Sequence, residues 1–228
     1  MNDTFDTSLE TNFSGKYNYG ELVSLLSSDK DSEKHFAILE LDEICSQQDA
    51  EVLVSNLVGQ DGKIREATAF KISELTQNPE YVMFFKSEKI FDVLLQGIMD
   101  INGNVCRQIV NLTDNLGVSF KKYLCEKLPE SINNILKEIE KIDLKSKQYV
   151  ISKRNFQLYW CLDALYNIID LIDFAKIKDA LFVTGNFYDY TIREKTAKIL
   201  TKSDNCEFDD LKEKLKNDDN YYVRRYLS

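Results

Sequence analysis

Side chains that could support covalent or metal chemistry are few, and the sequence does not group them. His35 is the only histidine among 228 residues, so a two-histidine metal site is excluded and any Cys–His or Ser–His pair must use His35. The cysteines form no Cys-x-x-Cys pair and are odd in number, which predicts separate thiols in a reducing, cytoplasmic setting. They are Cys45, Cys106, Cys125, Cys161 and Cys206. We therefore predict no metal ion and no other cofactor.

Motifs that bind nucleotides or catalytic zinc are also missing from the sequence. The chain contains no Gly-x-x-x-x-Gly-Lys loop, no Gly-x-Gly-x-x-Gly segment and no His-Glu-x-x-His sequence, and these are the patterns that fix phosphate or zinc geometry. Serine and carboxylate residues are plentiful, but a single histidine gives no nucleophile–base pair that can be named. The sequence therefore predicts a protein without catalytic residues.

Charge is distributed unevenly along the chain. The net charge is −9, and residues 1–60 hold 12 acidic and 3 basic side chains. Residues 121–154 hold 9 basic and 5 acidic side chains, a lysine-rich stretch that we interpret as a solvated helix face. Binding to duplex nucleic acid depends mainly on basic side chains at phosphates, so the acidic total argues against such a partner. It favours a protein or peptide partner with a basic region.

The N-terminus and the hydropathy pattern bear on localisation. The first residues, MNDTFDTSLETN, lack both a basic segment and an apolar core, so they do not have the form of a signal peptide. No stretch approaches the roughly 18 apolar residues that a membrane-spanning helix needs. We expect a cytoplasmic protein that does not enter the membrane.

The elements that position any site are predicted to be helices, and Asp61–Leu75 shows this most clearly. Its apolar residues recur at helical spacing and share one face. They are Ile64, Ala67, Thr68, Ile72 and Leu75. Asp61 precedes them, where its carboxylate can accept hydrogen bonds from the first free N–H groups of the helix. Two prolines and eight glycines are few for this length, which also favours long helices.

Asp61–Leu75 begins with the pattern Asp-x-x-Ile-Arg, and related copies lie at Asp189–Leu200 and Asp218–Leu227. This pattern resembles the second helix of a HEAT repeat. Equivalent helices start at Glu33, Ile64, Val105, Gln157, Ile192 and Val223, spaced by 31, 41, 52, 35 and 31 residues. The resemblance implies an all-α, right-handed α–α superhelix, or solenoid, of about six HEAT-like (HEAT/armadillo-type) helix pairs. We predict one such domain over residues 17–228, preceded by a flexible acidic tail at 1–16.

Several local expectations follow from the same pattern. The second helix of the first pair is predicted over Glu33–Ile44, and the aromatic segment Tyr81–Phe85 is predicted to be an extra turn at the join to the next unit. Pro129 suits the first turn of a new helix. After a lysine-rich connection to about Arg154, a partner helix is predicted over Gln157–Leu171.

In HEAT-like arrays the second helices line the concave side, and this resemblance defines the candidate binding groove. The third, seventh and tenth residues of each second helix should face it. The groove-facing residues that we select as candidates are Glu66, Phe70, Arg107, Asn111, Tyr159, Asp163, Tyr166 and Lys198. Aromatic residues beside charges are common anchors of protein interfaces. We therefore expect a non-enzymatic interaction or scaffold module, with Phe70, Tyr159 and Tyr166 as anchors unless other segments cover them.

Three arginines, Arg65, Arg193 and Arg224, recur at the second position of their helices. Because they recur with the repeat, we predict a structural role for them. Each arginine should bond the turn aspartate or the backbone carbonyls of a neighbouring unit.

Two other function classes have HEAT-like members of similar size. DNA alkylation-repair glycosylases hold a damaged base with aromatic residues and a carboxylate in the concave groove, and Tyr159, Asp163 and Tyr166 could form such a pocket. Against this, Trp160 is predicted to lie in the core. The E/F-type phycobilin lyases, which attach a cofactor to another protein, resemble the chain only at the level of the fold.

Overall fold

The computed structural model describes residues 17–142 and 148–228, so the predicted tail at 1–16 lies outside the described residues. Within these ranges the regular structure is helical, and no strand occurs. The α-helices are α1 (Tyr19–Leu25), α2 (Asp31–Glu40), α3 (Gln47–Ser55), α4 (Gly62–Leu75), α5 (Pro79–Val82), α6 (Glu88–Ile98), α7 (Gly103–Asn115), α8 (Val118–Glu140), α9 (Gln148–Ile168), α10 (Lys178–Gly185), α11 (Tyr190–Leu200), α12 (Asp209–Lys216) and α13 (Tyr221–Arg224). Four short 3₁₀ segments accompany them, at Asn56–Val58, Met83–Phe85, Phe174–Lys176 and Cys206–Phe208. Among the described helices, none is both long enough and apolar enough to cross a bilayer.

The helices form two stacked layers, which confirms the predicted all-α superhelix of helix pairs. Helices α1, α3, α6, α8, α10 and α12 form the first layer, and α2, α4, α7, α9, α11 and α13 form the second. Neighbouring second helices pack more extensively on one another than neighbouring first helices do. Because closer packing in one layer bends a stack towards that layer, these contacts favour the second helices as the concave layer.

Helix α4 shows how a capping aspartate and an apolar face determine where a helix begins and how it packs. The Asp61 carboxylate accepts hydrogen bonds from the backbone N–H groups of Lys63 (2.7 Å) and Ile64 (3.0 Å), which confirms the predicted cap. Ile64, Ile72 and Leu75 are buried, so one face of the helix belongs to the core. The same plan is repeated in α11, where Asp189 caps the N–H of Thr191 at 2.9 Å.

Tyr81–Phe85 lies in an extra turn, as predicted. The 3₁₀ segment that follows α5 packs against α3, and the Phe85 side chain in it is fully buried. Helix α2 ends at Glu40 rather than at Ile44, because the backbone of Leu41 is extended. Leu41 and Ile44 are nevertheless buried, as their apolar spacing predicts. The predicted helix end at Ile44 is wrong.

Helices α8 and α9 differ from the prediction in their boundaries. Pro129 lies inside α8 rather than at a helix start, because Leu124, Leu128 and Ile132 continue one buried stripe across it. Helix α9 begins at Gln148, nine residues before the predicted Gln157. These extra turns also have a buried face. Lysines at neighbouring positions make the local sequence resemble an exposed connection, so the sequence did not predict that face.

Arg65 connects the second and third helix pairs. Its Nε and Nη2 atoms donate to the two carboxylate oxygens of Asp100 at 2.7 and 3.2 Å. Its Nη1 donates to the carbonyls of Gly59 (2.9 Å) and Gln60 (3.0 Å) in its own turn. The guanidinium therefore holds two successive turns at a fixed separation, as predicted for this arginine.

Arg193 repeats the arrangement between the fifth and sixth pairs. It donates to both carboxylate oxygens of Asp218 at 2.7 and 3.0 Å, and to the carbonyls of Phe187 and Tyr188 at 2.8 and 3.1 Å. Arg224 has no further unit to hold among the described residues, and it donates to the backbone carbonyl of Asp218 in its own turn.

The aspartate that receives each arginine is fixed by its own turn. Asp100 accepts the N–H of Asn102 at 2.7 Å, and Asn102 caps α7 through the N–H of Asn104 at 2.9 Å. Asp218 accepts the N–H of Asn220 at 2.9 Å, and Asn220 caps α13 in the same way. An Asp-x-Asn sequence therefore presents a preorganised carboxylate to the preceding unit.

We predict that Asp218→Asn lowers the free energy of unfolding by about 2 kcal/mol, because Arg193 keeps its charge in a site where both side chains are largely buried. Hydrogen bonding from Arg193 holds the pKa of Asp218 at about 2, below its ordinary value of 3.8. The stabilisation is therefore complete above about pH 5 and is lost as the pH falls towards 2. Urea unfolding should show the gap between wild type and variant closing on acidification.

The matched control is Asp204→Asn, which changes an exposed aspartate that pairs with no described residue. It should leave the free energy of unfolding within about 0.5 kcal/mol of wild type at neutral pH. A gap between wild type and Asp218→Asn that is constant with pH would contradict the ion-pair explanation.

Candidate functional site

The predicted groove face divides into two parts, and the part formed by α2 and α4 is open. A cavity of about 640 Å³ lies between these helices. Leu39 and Phe70 line it with 53% and 47% of their surfaces exposed. His35, Asp42 and Glu66 line the same cavity. We call this cavity the open groove.

The open groove combines apolar side chains with carboxylates and two lysines, Lys63 and Lys71, of which Lys71 forms an ion pair with Glu74 at 2.8 Å. Both carboxylate oxygens of Glu66 accept hydrogen bonds, from the side-chain amides of Asn102 (2.7 Å) and Asn104 (2.8 Å). These donors are neutral, so they orient Glu66 without cancelling its charge. Asp42 is exposed, and no described residue forms an ion pair or hydrogen bond with its side chain. A cationic group next to an apolar group would therefore match this surface.

Helix α7 continues the open face beside α4. Arg107 and Asn111 are exposed, and neither side chain pairs with another described residue. Asp114 is also exposed, but it forms an ion pair with Lys121 at 2.8 Å. Arg107 and Asn111 thus offer hydrogen-bonding groups that internal contacts leave available.

In the second part of the face, α9 and α11 close the surface with their own side chains. Asp163 on α9 forms a short hydrogen-bonded ion pair with Lys195 and a longer one with Lys198, at 3.8 Å. The Lys195 ammonium also lies 4.3 Å from the centre of the Tyr159 ring. Burial lowers the pKa of Lys195 and Asp163 raises it, and the balance lies above the ordinary value. Lys195 therefore stays charged.

Tyr166 is covered by lysines in a similar way. The ammonium groups of Lys198 and Lys202 lie 4.1 and 4.2 Å from the centre of its ring, a cation–π arrangement. Lys202 also approaches the Asp170 carboxylate at 3.5 Å. We call this set of tyrosines, aspartates and lysines the closed network.

The selected candidates are therefore not all in equivalent surroundings. Glu66, Phe70, Arg107 and Asn111 lie on the open part of the face. Tyr159, Asp163, Tyr166 and Lys198 belong to the closed network, where the half-buried tyrosines are covered by lysines from α11 rather than by first helices. That they contact a partner remains a prediction for both groups.

Sequence reasoning missed two of the lysines that close the network, although a signal for them exists. Lys195, Lys198 and Lys202 are spaced by three and four residues, so they follow one face of α11 and its end. Tyr159, Asp163 and Tyr166 follow one face of α9 at a similar spacing. When one helix carries a row of lysines and its neighbour carries tyrosines and an aspartate at the same spacing, the two rows are expected to pair.

Three further observations concern the chemistry that the described residues could support. Among the described residues, no group of three or more His, Cys, Asp or Glu side chains could hold a metal ion. Burial raises the pKa of the Cys106 thiol to about 12, so it is not a reactive thiolate. Trp160 is buried, and its ring packs edge-on against Tyr159 at 5.4 Å between centroids. Its position is that of a core residue.

Comparisons with known proteins agree on the fold. No family model and no curated protein matches the sequence. A designed armadillo repeat protein matches the structure with a TM-score of 0.53 at 14% identity, over 92% of this chain and 97% of that one. A designed armadillo repeat protein in complex with the peptide (KR)4 matches with a TM-score of 0.55 at 13% identity, over the same shares. The chain is therefore an armadillo/HEAT-like helical repeat.

We predict that Asp163→Asn lowers the free energy of unfolding by about 2 kcal/mol, because it leaves the largely buried Lys195 without its counter-charge. Asp170→Asn is the matched control, since Asp170 is 72% exposed and its ion pair is long. Its effect should stay below about 0.5 kcal/mol. A loss in Asp163→Asn as small as that in the control, measured by urea unfolding, would mean that the Asp163–Lys195 pair does not stabilise the fold.

Proposed function

We propose that the protein is a non-enzymatic interaction module that binds a peptide segment of another protein in the open groove. The observation that carries this proposal is the pair Leu39 and Phe70, two large apolar side chains about half exposed in one cavity. Exposing them to water is unfavourable, and burying them against a partner would recover that free energy. Arg107 and Asn111 extend the same face with polar groups for the partner's backbone or side chains.

Charge supports a partner segment with a basic region. Asp42 and Glu66 flank the apolar pair, and the chain carries a net charge of −9. Opposite charge on the partner would speed encounter and fix its register. The (KR)4 complex of a structurally similar designed protein is consistent with this class of ligand, although at 13% identity the similarity concerns the fold.

The two enzymatic alternatives have less support. A glycosylase pocket at Tyr159, Asp163 and Tyr166 would need these side chains to receive a base, but they engage lysines of the same chain. Nothing in the described residues favours a phycobilin lyase. An interaction module without chemistry is therefore the function that we propose.

We predict that a random peptide library displayed on phage yields binders that carry an apolar residue next to basic residues. Replacing both Leu39 and Phe70 by Ala should weaken these peptides at least about tenfold, because the variant removes the apolar surface that they cover. Fluorescence anisotropy gives the dissociation constants. The thermal midpoint should change little, since both side chains are already partly exposed.

Met83→Ala is the control, because Met83 is an apolar residue 66% exposed outside the second-helix layer. It should bind the selected peptides as wild type does. Selected peptides that bind the double variant with unchanged affinity would overturn the assignment of the open groove.

A further inference from the structure

Two joins between units are built alike, which allows equivalent residues to be compared within one chain. Arg65 binds Asp100, and Arg193 binds Asp218, in each case through both carboxylate oxygens. A glutamate follows each of these arginines in the sequence, and another arginine lies seven residues after each aspartate. The glutamates are Glu66 and Glu194, and the later arginines are Arg107 and Arg225.

In the join between α11 and α13, the glutamate and the later arginine bind each other. Arg225 Nη2 donates to the Glu194 carboxylate at 2.8 Å. The guanidinium carbon of Arg225 lies 5.2 Å from the ring centre of Tyr222 and 4.9 Å from that of Tyr226. The two rings hold the guanidinium beside Glu194, so both charges of this join are satisfied within the chain.

In the join between α4 and α7, the equivalent two charges are not paired with each other. Asn104 and Gln108 occupy the positions of Tyr222 and Tyr226. No ring at these two positions can therefore hold the guanidinium of Arg107. This side chain is exposed and forms no ion pair or hydrogen bond with another described residue. The charge that Arg225 gives to its neighbour remains available on Arg107.

Glu66 is oriented for a ligand by the turn that precedes α7. Asn102 Oδ1 accepts the backbone N–H of Asn104 at 2.9 Å, so Asn102 Nδ2 is directed towards Glu66, which it binds at 2.7 Å. The side-chain amide of Asn104 binds the other carboxylate oxygen at 2.8 Å. Each carboxylate oxygen can accept two hydrogen bonds. Both oxygens of Glu66 therefore keep the capacity to bind one further donor.

We propose that Glu66 and Arg107 together recognise a partner segment that carries both a basic and an acidic side chain, an inference that rests on the proposed function. The basic side chain binds Glu66 as Arg225 binds Glu194 in the other join. The acidic side chain binds Arg107, whose planar guanidinium can donate two parallel hydrogen bonds to a carboxylate. The partner thus supplies the counter-charges that the α11–α13 join takes from its own chain.

The positions of these groups also give the order of residues in the ligand. The apolar pair Leu39 and Phe70 lies between α2 and α4, Glu66 lies on α4, and Arg107 lies on α7. In a segment that runs along this face, the basic residue therefore lies between the apolar residue and the acidic one. A segment that is basic throughout is disfavoured, because Arg107 repels its last charges.

The test starts from peptides selected by phage display on the full chain. In each peptide the acidic residue is replaced by its amide, Asp by Asn or Glu by Gln. This change should weaken binding to the wild-type chain about fivefold, as the loss of one exposed ion pair does. It should have no effect on binding to Arg107→Met, which lacks the guanidinium. Fluorescence anisotropy gives the four dissociation constants of this double-mutant cycle.

A second cycle combines Glu66→Gln with replacement of the peptide's basic residue by methionine, and a coupling of similar size is expected. The Arg107→Met cycle does not depend on the amides that hold Glu66. Arg107 is exposed and has no described partner, so its replacement should leave the thermal midpoint unchanged.

Reversing both charges tests the order of residues directly. Selection on the double variant Glu66→Arg with Arg107→Glu should yield peptides in which the acidic residue lies next to the apolar one and the basic residue follows. The matched control is Glu194→Arg with Arg225→Glu, which reverses a pair whose charges still satisfy each other. It should select the same peptides as the wild-type chain.

Absence of coupling in the Arg107 cycle would overturn this inference, as would selected peptides that carry no acidic residue. If these peptides still require Leu39 and Phe70, the proposed function stands and only the inference about Glu66 and Arg107 fails. Peptides that bind the Leu39 and Phe70 double variant with unchanged affinity would instead overturn the proposed function, and this inference with it.

Discussion

At two joins between units, a bidentate ion pair between an arginine at the start of one second helix and an aspartate in the next turn fixes how the units stack. Arg65 with Asp100 and Arg193 with Asp218 hold successive turns together, while the same guanidinium groups bond carbonyls of their own turn. Both pairs are largely buried, and their carboxylates are preorganised by Asp-x-Asn turns. Each unit's apolar face can be covered only by its neighbour, so at these joins the ion pair helps to set the spacing at which the core packs.

The stack creates one second-helix face, and its charges decide what each part of the face can do. Towards the C-terminus, the lysines of α11 are satisfied by the aspartate and tyrosines of α9, so the surface closes on itself. Towards the N-terminus, α2, α4 and α7 carry carboxylates, Arg107 and apolar side chains that internal contacts leave available. The second-helix face is thus open at one end of the repeat array and closed by its own ion pairs at the other.

Much of the fold could be predicted from sequence, because the repeat's apolar spacing and capping aspartates are local signals. The role of the arginines was also predictable. Asp100 and Asp218 occur in the turns of those units whose preceding unit carries the arginine. In units whose preceding unit carries Lys34 or Leu158 instead of the arginine, the position of the turn aspartate is occupied by Gly59 or Phe187, respectively. The sequence did not predict that α8 continues through Pro129 or that α9 begins at Gln148, because packing there overrides local preference. The division of the groove face was missed because it depends on which side chains of two helices meet.

We propose that a peptide ligand binds the α2–α4–α7 part of the second-helix face and not the α9–α11 part. Hydrogen exchange measured by mass spectrometry, with and without a selected peptide, tests this most directly. We expect slower exchange on binding in 31–40, 62–75 and 103–115, and unchanged exchange in 148–168 and 190–200. Protection centred on α9 and α11 would contradict it, because the closed network would then be the surface that receives the partner.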